Sequence, residues 1–507
     1  MKIARTKNTV RNIVFGTILR IVNIFLPFVS RTVILYVLGT QYLGLSSLFG
    51  SILSFLCLAE LGVGGAMVYT MYKPIAENDT DTIRALLNLY KKIYRIIGTV
   101  ILVLGLCLLP FLTKIIHGDI PEDTNIYVLY LIYLINAVLS YWLFAYKNAL
   151  MQAYQRTDLD SKIALFITPV SYIVMLGCLF LTRNYYFYII WLPIFTILTN
   201  ILRCVVVNKQ FPGLEPKGEV SKELKKSITK KVTALIGTKL NTVVLNAADN
   251  IVMSAFLGLT VIAIYGNYYL IMSSIIGFLG ICYSAMTAGL GNSLQTETLE
   301  KNYKDFEKFS FINSWLVGWC TVCLVCLYQP FMRIWVQDEE LMFPFVLVLE
   351  FALYFYVYQI RKIPITYKDA GGIWWEDRFR PYVCMVVNVV LNIWLVQVIG
   401  VSGIILSTVF SLCISIPWEN YTIFKYIFHC SSKKYYLKMA IFFVTMAIGG
   451  FITYWLCSLF GDGIPQMLAR MGICLVVPNV VFILFNFKRE EFRGTVNLAK
   501  SILKREV

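Results

Sequence analysis

Two arginines stand in a segment apolar enough to cross a bilayer: residues 17–31 read TILRIVNIFLPFVSR. At about 100° per residue, Arg20, Asn23, Pro27 and Arg31 fall on one narrow stripe roughly 16 Å long, from the 1.5 Å rise. The other faces of the helix carry Ile, Leu, Val and Phe. Each cation at mid-bilayer costs roughly 2.5–3.5 kcal/mol on insertion scales. That cost is tolerable where the stripe meets water or an anion instead of lipid. Guanidinium offers forked donors that match a phosphate or carboxylate. The chemistry within reach is therefore recognition of an anion, with no covalent step.

A second stripe repeats the pattern. Lys239, Thr242, Asn246 and Asn250 share a face, with Asp249 beside them. Each of these residues has a competing structural role. Arg31 lies about a turn and a half from the outer end of its segment and is long enough to reach the headgroups. Lys239, near the inner third, has the same option. Arg20 sits deeper, about 12 Å in by helix rise. Glu60, in LAELGVGG, reaches a similar depth from the opposite direction, so an Arg20–Glu60 pair competes with a cavity role. Asp249 either neutralises the neighbourhood of Lys239 or holds a coupling cation. Glu350 is a lesser candidate. Ser47, Ser51 and Ser54, three or four residues apart, read as a close helix–helix contact.

The elements that carry these residues follow from composition. The chain of 507 residues is 58% hydrophobic and only 15% charged, with mean hydropathy +0.70; soluble domains carry about 25% charged residues. A bilayer-crossing helix needs about 20 apolar residues. Fourteen windows qualify, at 12–38, 45–71, 92–115, 125–150, 162–182, 185–207, 232–257, 260–290, 311–332, 341–360, 381–398, 400–423, 438–459 and 465–487. With the N-terminus inside, the outer segments hold only Lys114, Arg183 and Arg333, and Arg470 lies just past the last of them. This is the positive-inside pattern. It accounts for most of the +16 net charge and leaves no basic face for a nucleic acid.

Shifting the chain by about 219 residues places Leu38-Gly39 on Leu257-Gly258, Arg20 on Lys239 and Arg31 on Asn250. Six spans separate the copies, which makes a parallel repeat. The expected fold is an all-α polytopic membrane protein of 14 transmembrane helices. It has two pseudo-symmetric six-helix lobes plus two C-terminal helices, with N- and C-termini cytoplasmic. Residues 1–207 form the first lobe, 208–230 a cytoplasmic linker, 231–423 the second lobe, and 424–507 the last two spans and a basic tail. The tail is expected on anionic headgroups.

No Walker A motif is present, and every outer loop is too short to house sugar-polymer chemistry, so the chain reads as no enzyme. His117 and His429 fall in loops and most cysteines in apolar runs, where a thiol packs as a small hydrophobe. No metal site and no cofactor is expected.

Residues 31–67, 72–95, 245–269 (LNAADNIVMSAFLGLTVIAIYGNYY) and 367–381 (YKDAGGIWWEDRFRP) resemble Wzx-type polysaccharide flippases. These translocases belong to the multidrug/oligosaccharidyl-lipid/polysaccharide exporter superfamily. The resemblance implies two lobes around a central cavity and alternating access. It implies carriage of undecaprenyl-diphosphate-linked oligosaccharide units from the cytoplasmic to the outer leaflet of a bacterial plasma membrane, for capsule or surface polysaccharide. Cavity cations would engage the diphosphate, and the two extra helices would help hold the lipid tail. The expected substrate-binding set is Arg20, Asn23, Arg31, Glu60, Lys239, Asn246, Asp249 and Asn250. Expected partners are the glycan lipid, membrane lipids, a coupling proton or sodium ion and polysaccharide assembly proteins. The alternatives are a cation-coupled multidrug exporter, whose cavity would favour acidic residues, and a non-transporting scaffold, which would have no reason to keep charges in the bilayer.

Overall fold

The computed structural model describes residues 5–60, 63–116, 120–121 and 124–505. The side chains of 5–10, 13, 59, 230–231, 233–239, 241–242, 245–246, 285, 288–289, 292, 498–499 and 501–505 fall outside that description. His117 and the side chains of Lys239, Thr242 and Asn246 are thus outside it.

By packing, the chain divides into Met1–Ala263 and Ile264–Val507. The first unit is built from α1 (Arg5–Leu38), α2 (Thr40–Leu56), α3 (Val63–Glu77), α4 (Thr80–Leu108), α5 (Leu112–Ile115), α6 (Ile126–Trp142), α7 (Tyr146–Ala153), α8 (Thr157–Thr182), α9 (Tyr185–Ile189), α10 (Trp191–Gln210) and α11 (Lys222–Phe256). The division falls inside α12 (Leu259–Thr296). The second unit continues with α13 (Leu299–Val336), α14 (Phe345–Ile360), α15 (Lys362–Ala370), α16 (Arg380–Ile399), α17 (Val401–Tyr426), α18 (Lys433–Ser458), α19 (Ile464–Asn486) and α20 (Glu490–Arg505). No strand occurs among the described residues.

Eleven helical segments among the described residues are long and apolar enough to cross a membrane, and a twelfth if the bent pair α6–α7 is one span. The chain is a multi-pass membrane protein. The other two expected windows, 45–71 and 232–257, also fall on helix. The first is not continuous: α2 stops at Leu56, a 3-10 turn covers Cys57–Glu60, and α3 resumes at Val63. The break turns the Glu60 carboxylate toward tyrosines on α4 and α6, a partner no hydropathy window reports. The window at 125–150 bends by 51° between α6 and α7, where Phe144 takes a positive φ of 56°.

The 219-residue register reappears in the backbone. α2, α4 and α6 begin at Thr40, Thr80 and Ile126; α12, α13 and α14 begin at Leu259, Leu299 and Phe345, each 219 residues on. Asp79 caps α4 by accepting from the Thr82 amide (2.9 Å), and its register mate Thr298 caps α13. Gly39 (φ 97°) and Gly258 (φ 88°) make the same left-handed turn. Their amides donate to Ile34 O and Met253 O, both at 3.1 Å. Glycine adopts this φ without the Cβ penalty other residues meet. The spacing drifts after α14. α11, which the repeat assigns to the second lobe, packs on α2 and α3 of the first unit.

In the first unit α1 packs on α8 and α2, and α4 and α10 pack on α6; Phe49 stands edge-on to Tyr130 in its core, ring centroids 5.6 Å apart. In the second, α13 packs on α14, α18 and α19. One aromatic cluster there centres on Phe306, Tyr367, Phe424, Phe428 and Tyr435. Another joins Phe311, Phe442 and Phe482. The start of the basic tail rests on protein: Phe492 of α20 packs beside Phe311 and Trp315, and Glu491 pairs with Lys438 at 2.6 Å.

Candidate functional site

α1 runs unbroken through Pro27. Arg20 and Asn23 are exposed, and Pro27 and Arg31 are half-buried. The exposed apolar residues Ile18, Ile21 and Phe25 lie about 100–160° round the helix from Arg20. The apolar arc and the polar stripe are therefore different faces of one helix. Among the described residues Arg20 and Asn23 take no side-chain hydrogen bond or ion pair. The inner end of α1 is fixed by Asn12, which donates to Gln155 O (3.1 Å) and accepts from the Asp158 amide (2.8 Å).

Arg31 does not hang free. Its Nη2 donates to Ala263 O at 3.1 Å, and its Nη1 lies 3.5 Å from Ser47 Oγ. Asn250 of α11 donates to Ser51 Oγ at 2.8 Å. Two register mates, Arg31 and Asn250, thus both reach serines of α2, the stripe that the sequence assigned to helix packing. Asp249 is buried and engaged.

Glu60 has tyrosines, not Arg20, as its partners. Tyr94 donates to Glu60 Oε1, Tyr141 donates to Oε2 at 2.8 Å, and Tyr90 donates to Tyr94 Oη at 2.7 Å. The carboxylate at the helix break thus has both oxygens taken by phenol donors from two other helices. No Arg20–Glu60 ion pair forms among the described residues; the tyrosine contacts on α4 and α6 are what the break in the second window makes possible.

The second unit holds a charge network that the sequence reading did not assemble. Glu419 of α17 pairs with Arg361 (2.5 Å) and Arg380 (2.9 Å). Asp377 pairs with Arg380 (2.7 Å) and Lys368 (2.6 Å). Ser415 bridges Arg380 and Glu419 at 2.8 and 2.9 Å. The signal was present as Asp377 and Arg380 three residues apart, and Ser415 and Glu419 four apart. Burial pushes the Asp377 carboxyl up, but Arg380 and Lys368 outweigh it and hold it below the usual carboxylate range. Glu350 has a buried Oε2 with no hydrogen-bond partner among the described residues.

Two cavities lie within the second unit. One, of about 600 Å³, is lined by Gln329, Arg333, Glu339 and Arg470 among others. The other, about 390 Å³, is apolar and lies between α13, α14 and α18, lined by Val322, Phe345, Leu349, Phe443 and Met446.

No family model matches the chain, and no curated protein sequence matches it. Solved structures do. The lipid II flippase MurJ in its inward closed conformation superposes with a TM-score of 0.66 at 15% identity, over 93% of this chain and 98% of that one. The eukaryotic MATE transporter AtDTX14 gives 0.57 at 11% identity, over 87% and 99%. An outward-facing multidrug resistance MATE transporter of the MOP superfamily gives 0.54 at 13%, over 82% and 95%. The helical fold of the chain is similar to that of these solved transporters.

Proposed function

We propose that this chain is a flippase for an oligosaccharide carried on undecaprenyl diphosphate. It moves the headgroup from the cytoplasmic to the outer leaflet of a bacterial plasma membrane by alternating access, for capsule or surface polysaccharide. The observation that carries this reading is the placement of Arg20: exposed, without a carboxylate partner among the described residues, and on a face of α1 turned away from the apolar arc. A guanidinium so placed is free to take a diphosphate oxygen pair. Asn23 adds donors along the stripe. Arg31, whose Nη2 donates to the Ala263 carbonyl, and Asn250 of α11 continue the path; Lys239 and Asn246 are expected to join them from their sequence spacing alone. The MurJ likeness supports a lipid cargo in a second way. Coverage of 93% leaves about 35 residues unmatched, fewer than α18 (26 residues) and α19 (23 residues) hold together. The shared fold therefore reaches into this pair, and the apolar cavity beside α18 suits part of a lipid tail. Glu60 and its tyrosines are the candidate site for a coupling proton, with Asp249 as the alternative for a cation.

A MATE-type exporter of cationic drugs is the second reading, favoured by the Glu60 carboxylate. Cells lacking the chain decide between them. A flippase leaves a lipid-linked glycan accumulating on the inner leaflet, whose sugars name the cargo. Unchanged lipid-linked glycan with raised drug sensitivity would select the exporter.

A further inference from the structure

Three cysteines from three helices meet in the second unit. Cys326 of α13, Cys457 of α18 and Cys474 of α19 are each at most 4% exposed. Their sulfurs all lie within 4.8 Å of one another, with Cys457 and Cys474 at 4.0 Å. All three are free thiols. Cys320, Cys323 and Cys326 follow one another at three-residue spacing on α13, a run that the reading of these thiols as small hydrophobes passed over. Only the last of them meets the other two helices.

We propose that this triad binds a soft d10 metal cation, the cuprous ion, in three-coordinate thiolate geometry. Three sulfurs about 2.3 Å from a common centre lie about 4.0 Å from one another, from the metal–thiolate distance of zinc sites. The triad is close to that spacing before any metal enters. Among the described residues no histidine or carboxylate joins the group, so the fourth protein ligand of a structural zinc site is missing. Soft thiolates with few ligands favour Cu(I). An entry path exists, because Cys326 and Cys457 line the 600 Å³ cavity together with Arg333 and Arg470. On loading, each thiol gives its proton to solvent as its sulfur bonds the metal; the copper stays cuprous and no electron moves. Three thiolates on one monovalent cation leave net negative charge. Arg470 borders the same cavity; its Nη2 donates to Phe460 O and Gly461 O, while its buried Nε has no hydrogen-bond partner among the described residues, so its guanidinium is placed to offset part of that charge. Cys457 stands at the end of α18, in the half of the span that the loop charges assign to the outer face, and Cys326 and Cys474 meet it from within α13 and α19. It is independent of the α1 stripe.

The test is an anaerobic titration of the full-length protein in detergent with Cu(I) buffered by bicinchoninate. One equivalent should be withheld from the chelator by the natural protein and by Cys107→Ser. Cys326→Ser, Cys457→Ser and Cys474→Ser should each weaken it by more than about 100-fold, beyond the 10–100-fold that outer-shell changes cost. X-ray absorption on the loaded natural protein guards against variants that fail to fold, and should show three sulfurs near 2.3 Å. No withheld equivalent, equal retention by all three variants, or a shell of two sulfurs would overturn the assignment.

Discussion

Arg20 and Glu60 carry opposite charges to similar depths, yet the structure gives them different company. Glu60 spends both oxygens on Tyr94 and Tyr141, and among the described residues Arg20 has no carboxylate mate. If the guanidinium grips a diphosphate, Arg20→Ala should cut glycan-lipid translocation by about 10–100-fold, from the 1.5–3 kcal/mol that a hydrogen bond to a charged group contributes. The measurement is surface glycan per copy of inserted protein. Arg20→Lys should recover only part, because lysine lacks the fork; wild-type glycan in Arg20→Ala would remove Arg20 from the cargo path. For Glu60 the discriminating change is Glu60→Gln, which preserves shape but removes the carboxylate charge. It should insert at normal levels and turn over poorly. Normal turnover would leave the tyrosine chain a structural device.

At Gly44 and Gly403 one helix meets the backbone of another so closely that a single added atom decides the packing. A Cβ on Gly44 of α2 would stand 2.3 Å from Leu259 O at the start of α12, and one on Gly403 of α17 would stand 2.4 Å from the Leu395 backbone of α16. Backbone cannot swing aside as a side chain does, so Gly44→Val should destabilise the first unit by the 1–3 kcal/mol or more typical of overpacking. It would be read as a lowered melting temperature in detergent. The charge network tests differently. Asp377 is held below its ordinary range, so its ion pairs contribute stability above the unfolded carboxylate pKa of about 3.9. That contribution is lost as pH falls through the depressed folded value. The natural protein should therefore lose melting temperature on acidification below about pH 5. Asp377→Asn should start lower at pH 7, by the 3–5 kcal/mol that breaking a buried pair costs, and should lack that acid-dependent component. An unchanged acid profile in the variant would locate the sensitivity elsewhere. Helices were legible at this scale because hydropathy marks them wherever they cross lipid. The break at Cys57–Glu60 and the Glu419–Arg380–Asp377 network were not, because both depend on which side chains converge after packing.

For the whole molecule, the repeat is the deepest feature legible in the sequence. Leu38-Gly39 and Leu257-Gly258 pointed to a 219-residue register that the starts of α2, α4 and α6 keep against α12, α13 and α14. The side-chain identities that would make the two stripes equivalent were not conserved with it: Arg31 answers to Asn250 and Arg20 to Lys239. The flippase reading requires water at the polar face of α1, which makes access there the quantity to measure. Asn23 stands on the exposed polar face one turn from Arg20. In a background where the exposed Cys107, Cys282, Cys413 and Cys430 are serine, Asn23→Cys should react with a membrane-impermeant maleimide, since thiols react as thiolates and need water. Ile21→Cys, on the apolar arc, should stay unlabelled. Blocking the supply of lipid-linked glycan should change the Asn23→Cys rate by shifting the balance between states, since a ligand moves that balance by its differential affinity for them. Equal, slow labelling at positions 21 and 23 would place both faces of α1 in lipid and remove the aqueous route on which the flippase reading depends.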